Sequence, residues 1–99
     1  MKIALLIYHD VFDDRVAEIM NELKIDAYTK WEEVTGKFEG CEPHLGTRTF
    51  PGHESVRLIP FRDEEKLNKL IWKLEEFNKA AVKSADQLRL YSLPLEKIV

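Results

Sequence analysis

The order of the strand and helix patterns limits this chain to few folds. The short apolar run KIALLIY, at residues 2–8, is typical of a central strand. Alternating patterns predict three further strands, at residues 25–38 as far as Gly36, at 55–62 and at 87–93. Two amphipathic helix patterns divide the strands into the order β-α-β-β-α-β. This order predicts an α+β, ferredoxin-like sandwich, in which both helices cover one face of an antiparallel sheet.

The two helix patterns differ in how they begin. The first begins within HDVFDDRV, where aspartates favour a helix start. Its apolar positions recur with helical spacing at Val16, Ile19, Met20 and Leu23. The second begins after Asp63, which is predicted to cap it, and the pairs Glu65–Lys69 and Glu75–Lys79 are expected to support it. Its apolar stripe is formed by Leu67, Leu70, Ile71, Leu74, Phe77 and Ala81.

A sheet with both helices on one face leaves its other face uncovered. The sequence predicts that Trp31, Ile59, Phe61, Tyr91 and Leu93 lie on that open face. This is more apolar surface than a monomer usually exposes to water. Assembly of sheets from several copies, as a dimer or a trimer, is therefore expected.

Composition excludes several classes of protein. The 99 residues predict one domain, at 1–99, and the formal charge of −3 comes without the basic cluster that nucleic-acid binding requires. No apolar run approaches the roughly 20 residues of a membrane helix, so membrane insertion is not expected. The single cysteine, Cys41, cannot close an internal disulfide, which predicts a cytoplasmic protein.

The stretch CEPHLGTRTFPGHE, at residues 41–54, concentrates reactive and turn-forming residues between two predicted strands. Its prolines restrict the backbone and its glycines permit tight reversals, which indicates an ordered excursion. Long loops of this kind are often functional. We therefore place the candidate site in this connection.

Three segments in this order resemble the PII-like proteins, relatives of the PII nitrogen-signalling regulators. They are MKIALLIY at the start, WEEVTGKFEG with a V-x-G turn at Val34–Gly36, and LRLYSLPLEKIV at the end. The resemblance covers the whole chain and implies a ferredoxin-like homotrimer. We expect a regulatory protein rather than an enzyme, because no common catalytic motif is present. The resemblance also implies that residues 37–54 form a T-loop, the loop through which such proteins sense small ligands and contact partner proteins.

The resemblance further implies an effector site at the base of this loop, between subunits, where typical PII proteins bind ATP or ADP. Their glycine-rich phosphate turn corresponds here to KSADQLRLY, which has no glycine, and no basic tail follows the last strand. Both departures argue against ATP and leave a smaller anionic or nucleotide effector. The predicted ligand contacts are Gly36, Lys37, Glu42, His44, Gly46, Arg48, His53 and Lys83, of which the resemblance implies Gly36, Lys37 and Lys83, and the residue types of the loop indicate the others.

Two other functions stay open at this point. Cys41, His44 and His53, with Glu42, are residue types that bind zinc or copper, as in a metal-binding protein of the divalent-cation tolerance kind, although their spacing matches no structural zinc motif. A small enzyme using His9 and Asp10 is the third alternative, although no common catalytic motif is present. The simplest alternative is that the loop side chains only pack, and that Arg48 is solvated.

Overall fold

Four strands and two helices form a two-layer structure. The computed structural model describes residues 1–99. The elements are β1 (Lys2–His9), α1 (Asp13–Glu22), β2 (Thr29–Val34), β3 (Glu54–Phe61), α2 (Glu64–Ala80) and β4 (Arg89–Pro94), with 3₁₀ turns at Asp10–Phe12 and Ser84–Asp86. The sheet is antiparallel in the order β2-β3-β1-β4, which confirms the predicted βαββαβ sandwich. Neither helix combines the length and apolar character that crossing a bilayer requires.

The core lies between the helices and one face of the sheet. On β1, Ala4, Leu6 and Tyr8 are fully buried, whereas the alternate residues of the strand are only half-buried. The helices contribute Val16, Ile19, Met20, Leu67, Leu70 and Leu74 to the same core. The alternation of burial along β1 follows from the two-residue period of a strand.

The open face of the sheet is apolar, but two residues predicted to lie on it are on the other side. Ile59 and Phe61 belong to the core, at 0% and 3% exposure. The reason is the register, since Ile59 lies opposite Ala4, and both side chains therefore face the helices. The strand register places on the open face Ile3, Leu5, Ile7, Trp31, Val56, Leu58, Tyr91 and Leu93.

The strand predicted from residue 25 begins four residues later, at Thr29. Ile25 instead closes the end of α1, because its N–H donates to the carbonyl oxygen of Met20 at 2.9 Å. Lys24 adopts a left-handed φ of 57°, and its N–H donates to the carbonyl oxygen of Asn21. This is a Schellman helix end in which lysine takes the usual glycine position. The buried side chain of Ile25 mimics the first residue of a strand in the sequence pattern.

Helix α2 begins as predicted, because the Asp63 carboxylate accepts a hydrogen bond from the N–H of Glu65 at 2.9 Å. Glu65 also pairs with Lys69 at 3.4 Å, as expected. The predicted pair between Glu75 and Lys79 is wrong. Lys79 pairs with Glu76 at 2.9 Å instead, because residues three apart on a helix are also neighbours on its surface.

One charged side chain is buried beneath the helices. Arg57, on β3, is 4% exposed, and its Nε donates to the hydroxyl oxygen of Tyr8 at 3.0 Å. That hydroxyl donates in turn to Asp13 Oδ1 at 2.7 Å. Burial raises the pKa of Tyr8, which therefore keeps its proton. Burial alone would raise the pKa of Asp13, but the Tyr8 hydrogen bond and the Lys30 ammonium hold it below its usual range. The network joins β1, β2 and β3 to the start of α1.

Tyr8→Phe is expected to lower the free energy of unfolding by about 1–3 kcal/mol, because it leaves the buried Nε of Arg57 without a partner. Urea unfolding followed by circular dichroism measures this change. Tyr28→Phe is the matched control, since Tyr28 is 49% exposed and its ring, 4.8 Å from the Arg57 guanidinium carbon, is retained. Equal stability of the Tyr8 variant and the wild type would contradict this role of the hydroxyl group.

Candidate functional site

The connection between β2 and β3, residues 35–53, lies across one end of the sheet. β1 ends at His9, which lies opposite the first residue of β3, Glu54, and Val34 at the end of β2 pairs with the same Glu54. β4 begins at Arg89, opposite Ile7 of β1. Four strand ends therefore meet beneath residues 35–53, which we name the sheet-end loop.

The base of the sheet-end loop is closed by a backbone bridge. The N–H of Gly36 donates to the carbonyl oxygen of His44 at 3.0 Å, and the N–H of His44 donates to the carbonyl oxygen of Gly36 at 2.8 Å. The Glu54 carboxylate packs so closely beneath Gly36 that a β-carbon there would overlap its Oε1 atom. The bridge thus requires glycine at this position. It defines an inner turn, residues 36–44.

Two histidines stack beneath this bridge. The His44 ring lies 4.1 Å from the His9 ring, centroid to centroid, with 21° between their planes. His44 is 9% exposed, and its Nδ1 lies 3.4 Å from Oε2 of the buried Glu54. Burial lowers the pKa of His9, and the neighbouring His44 lowers it further. Asp10, whose carboxylate lies 3.6 Å from His9 Nε2, acts in the opposite direction but does not outweigh them.

Beyond the inner turn, the sheet-end loop forms an outer turn, residues 45–52. The N–H of Gly46 donates to the carbonyl oxygen of Gly52 at 2.8 Å, and the N–H of Phe50 donates to the Thr47 hydroxyl at 3.0 Å. Gly46 has a φ of +64°, and the ring of His53 lies where its β-carbon would be. Residues 45–52 are therefore held by their own hydrogen bonds.

The inner turn reaches across the sheet to β4 and forms a cleft with it. The guanidinium carbon of Arg89 lies 5.0 Å from the centre of the Phe38 ring. The Cys41 thiol lies 3.3 Å from the hydroxyl oxygen of Ser84, in the segment before β4. We name the space beside these contacts the Arg89 cleft. It has a volume of about 490 Å³ and is lined by Lys37, Phe38, Glu39, Arg89, Leu90 and Tyr91.

Arg89 is poorly satisfied within this cleft. Its Nε is buried and has no hydrogen-bond partner, and its Nη2 makes only a 3.5 Å contact with the carbonyl oxygen of Ser84. A buried donor without a partner is unfavourable by roughly 1–3 kcal/mol. The cleft also holds Lys37, so two cations face one carboxylate, that of Glu39. An anion entering the cleft can accept hydrogen bonds from the Nη groups of Arg89.

A second cavity, of about 550 Å³, lies in the helix layer and is a weaker candidate. It has an apolar floor that includes Phe12 and Phe77. Of its charged residues, Arg15 pairs with Glu18 at 3.4 Å, and Glu76 pairs with Lys79. The third charged residue of the lining is Asp86, so the one cation of this cavity, Arg15, is already paired. The Arg89 cleft is therefore the better candidate site.

The structure brings together only some of the residues predicted from the sequence. Gly36 pairs with His44, Gly46 packs against His53, and Lys37 lines the Arg89 cleft. The remaining three are exposed: Glu42, Arg48 and Lys83. The Cys41, His44 and His53 side chains are not assembled into a ligand set, and no group of three such side chains is placed to hold a metal ion. Metal binding stays a prediction without a preformed site in one chain.

The site residues predicted from the sequence did not include Phe38, Glu54, Arg89 and Tyr91. The pattern of β4 contained a usable signal, because Arg89 shares a parity with Tyr91 and Leu93 and so lies on the same face as these apolar residues. A lone cation on an apolar face indicates a function. Phe38 gave no such signal, since its contact with Arg89 depends on how the inner turn folds.

Comparison with known structures shows the fold of PII-like proteins. CPII from Thiomonas intermedia K12, a nitrogen regulatory PII-like protein, was solved with ADP, AMP and bicarbonate. It matches with a TM-score of 0.69 at 12% identity, over 97% of this chain and 88% of that chain. Its apo form matches with a TM-score of 0.67 at 12% identity, over 93% of this chain and 85% of that chain. A protein from Thermus thermophilus, described as PII-like and signalling, gives 0.61 at 16% identity, over 93% and 83%. No family model and no curated protein matches the sequence.

The lowered pKa of His9 predicts a pH dependence of stability. The fold favours the neutral imidazole, so this contribution is complete above the ordinary value of 6.5 and is lost as the pH falls through the lowered pKa. His9→Gln removes the titrating imidazole and with it this contribution to stability. The difference in unfolding free energy between about pH 7.5 and about pH 5.5 is therefore expected to become smaller than in the wild type. Urea unfolding at both pH values measures this difference.

His53→Gln is the matched control, because His53 lies in the same loop but outside the stacked pair. This variant is expected to keep the pH dependence of the wild type. The interpretation of the stack is wrong if both variants reduce the pH dependence equally.

Proposed function

We propose that this chain, which has the fold of PII-like proteins, is a regulatory protein that senses a small ligand in the Arg89 cleft and signals through its sheet-end loop. The observation that carries the proposal is Arg89, a partly buried cation with an unpartnered Nε, placed where the loop meets β4. A ligand bound there contacts both the rigid sheet and the inner turn. Its presence therefore shifts the population of loop conformations that a partner protein encounters.

The cleft favours an anionic ligand. Arg89 offers a fork of donors that matches a carboxylate, bicarbonate or phosphate group, and Lys37 adds a second positive charge. CPII was solved with ADP, AMP and bicarbonate, and in another structure with acetate in place of bicarbonate. We infer the same classes of ligand here, namely a small oxoanion or a nucleoside mono- or diphosphate. ATP is disfavoured, because the segment before β4 has no glycine with which to surround a triphosphate.

The proposal makes the protein a regulator rather than an enzyme. Binding an anion at Arg89 requires no nucleophile and no acid–base pair. The sheet-end loop, whose conformation the ligand changes, is the exposed part of the site. The outer turn carries Arg48 and Leu45 into solvent, where a protein partner can contact them. The cytoplasmic location expected from the sequence stays a prediction.

Arg89→Ala is expected to weaken binding of AMP and bicarbonate by at least tenfold, because a charge-assisted hydrogen bond contributes roughly 1.5–3 kcal/mol. Isothermal titration calorimetry measures this change. Arg62→Ala is the control, since Arg62 is an exposed arginine just beyond the far end of β3. Unchanged affinity of the Arg89 variant would place the ligand elsewhere, and no binding by the wild type would refute the sensing proposal.

We also propose that the protein assembles through its open face, as a homotrimer. Trp31, Tyr91 and Leu93 are each about half exposed on that face, at 46%, 51% and 52%. Apolar area of this kind favours association, because burial removes it from water. The Arg89 cleft borders the same face, since Arg89 and Tyr91 project from it. Assembly would then place a neighbouring subunit beside the ligand.

Leu93→Glu is expected to convert the assembly to monomers. A carboxylate in the apolar interface would lose its hydration without gaining a partner, which is unfavourable. Size-exclusion chromatography with light scattering measures the mass. The control is Val82→Glu, since Val82 is 98% exposed and lies outside the sheet. A wild-type protein that is monomeric at all concentrations would contradict the assembly proposal.

A further inference from the structure

Arg89 contacts the sheet-end loop through its guanidinium group. The group lies over the Phe38 ring, with 5.0 Å between the guanidinium carbon and the ring centre. Phe38 belongs to the inner turn, whereas Arg89 begins β4. No carboxylate forms an ion pair with Arg89. Contact with the aromatic face is therefore the main interaction that orients this cation.

The ring contact leaves the N–H groups of Arg89 that line the cleft for a ligand. An arginine binds an oxoanion through the N–H groups of its edge, whereas an aromatic ring contacts its face. The two interactions use different surfaces of the same group and are compatible. The Nε has no partner but is shielded from solvent, and Nη2 has only the 3.5 Å contact with Ser84, so the Nη groups are the donors that a ligand in the cleft can reach. The guanidinium is thus positioned but its hydrogen-bonding capacity is not used.

Phe38 is itself positioned by the inner turn. The N–H of Cys41 donates to the Phe38 carbonyl oxygen at 3.0 Å, which closes a tight turn just beyond it. Residue 36 is fixed by its bridge to His44, and His44 is buried against His9. The Phe38 ring can lie over Arg89 only while this turn is formed. Loss of the turn removes the ring from the cation.

We propose that Phe38 is a positioning residue that couples the order of the inner turn to oxoanion binding at Arg89. This inference rests on the proposed function, because it concerns the same cleft. An anion on the edge of Arg89 fixes the guanidinium and so favours the ring-over-cation arrangement. By linkage, a formed turn increases the affinity for the anion to the same extent. Phe38 is thereby the residue through which the bound ligand is reported to the loop.

The proposal predicts different effects for two conservative variants. Phe38→Leu keeps an apolar side chain of similar size but removes the π-system, and it is expected to weaken AMP and bicarbonate binding about two- to fivefold. Phe38→Tyr keeps the ring and is expected to bind both ligands as the wild type does. Phe50→Leu is the matched control, because Phe50 lies in the outer turn of the same loop, away from the contact. Titration calorimetry measures all four proteins.

A second readout follows the loop itself. Hydrogen exchange of the Cys41 amide reports whether the turn closed by Phe38 is formed. Bicarbonate is expected to slow this exchange in the wild type and in Phe38→Tyr, and to slow it less in Phe38→Leu. A purely structural role of an apolar side chain would not distinguish leucine from tyrosine in this way.

The outcomes separate this inference from the proposed function. Tight binding by Phe38→Leu, or equal weakening in Phe38→Leu and Phe38→Tyr, overturns the coupling while leaving Arg89 as the ligand site. Failure of the wild type to bind AMP or bicarbonate overturns both proposals. Weaker binding and a smaller exchange response in Phe38→Leu alone support the coupling.

Discussion

The antiparallel pairing of β1 with β3 is the constraint on which the rest of the structure depends. It places Tyr8 opposite Ser55 and His9 opposite Glu54, so adjacent residues of the same strand serve different faces. Tyr8 faces the helices and joins the network of Arg57 and Asp13. His9 ends the strand and supports the ring of His44. One register therefore sets both the buried polar contacts of the core and the support beneath the loop.

The sheet-end loop is ordered, although it is long, because its inner turn is fixed to this strand end. A connection of residues 35–53 would usually be mobile, but a backbone bridge and a stacked imidazole pair fix its inner turn to the sheet. The fixed turn then contacts β4 through Phe38. Because β2 and β4 are the two outer strands of the sheet, the loop spans its full width. A ligand bound at the β4 edge of the sheet can thus affect loop residues that belong to the β2 edge.

The sequence predicted the fold well because its signals were local. Asp63 caps α2, and the apolar stripe of that helix is buried at Leu67, Leu70 and Leu74. The errors arose where neighbouring elements decide the outcome. Ile25 fits a strand pattern but closes a helix, and Ile59 alternates correctly yet faces the helices because of its pairing with Ala4. Alternation of apolar residues along a strand shows that its two faces differ. Only the strand register shows which of these faces the helices cover.

The candidate site was less predictable, for a physical reason. Gly36 and Lys37 lie where the sequence placed the loop base, whereas Arg89 and its partner Phe38 are 51 residues apart in the sequence and meet only in the folded protein. Polar residue types indicated the loop as a whole, and the exposed Glu42 and Arg48 were selected on that basis alone. Long-range contacts of this kind depend on the backbone path of the inner turn.

Native mass spectrometry tests the central claim most directly, since it reports the assembly and its bound ligand in one spectrum. The protein would be measured alone and with AMP, ADP, ATP, bicarbonate and a divalent metal, beside Arg89→Ala under the same conditions. The account predicts a trimer that takes up AMP or ADP, one per subunit, and an Arg89 variant that assembles but does not take up nucleotide. A monomer without nucleotide, or a protein that binds only the metal, would contradict it.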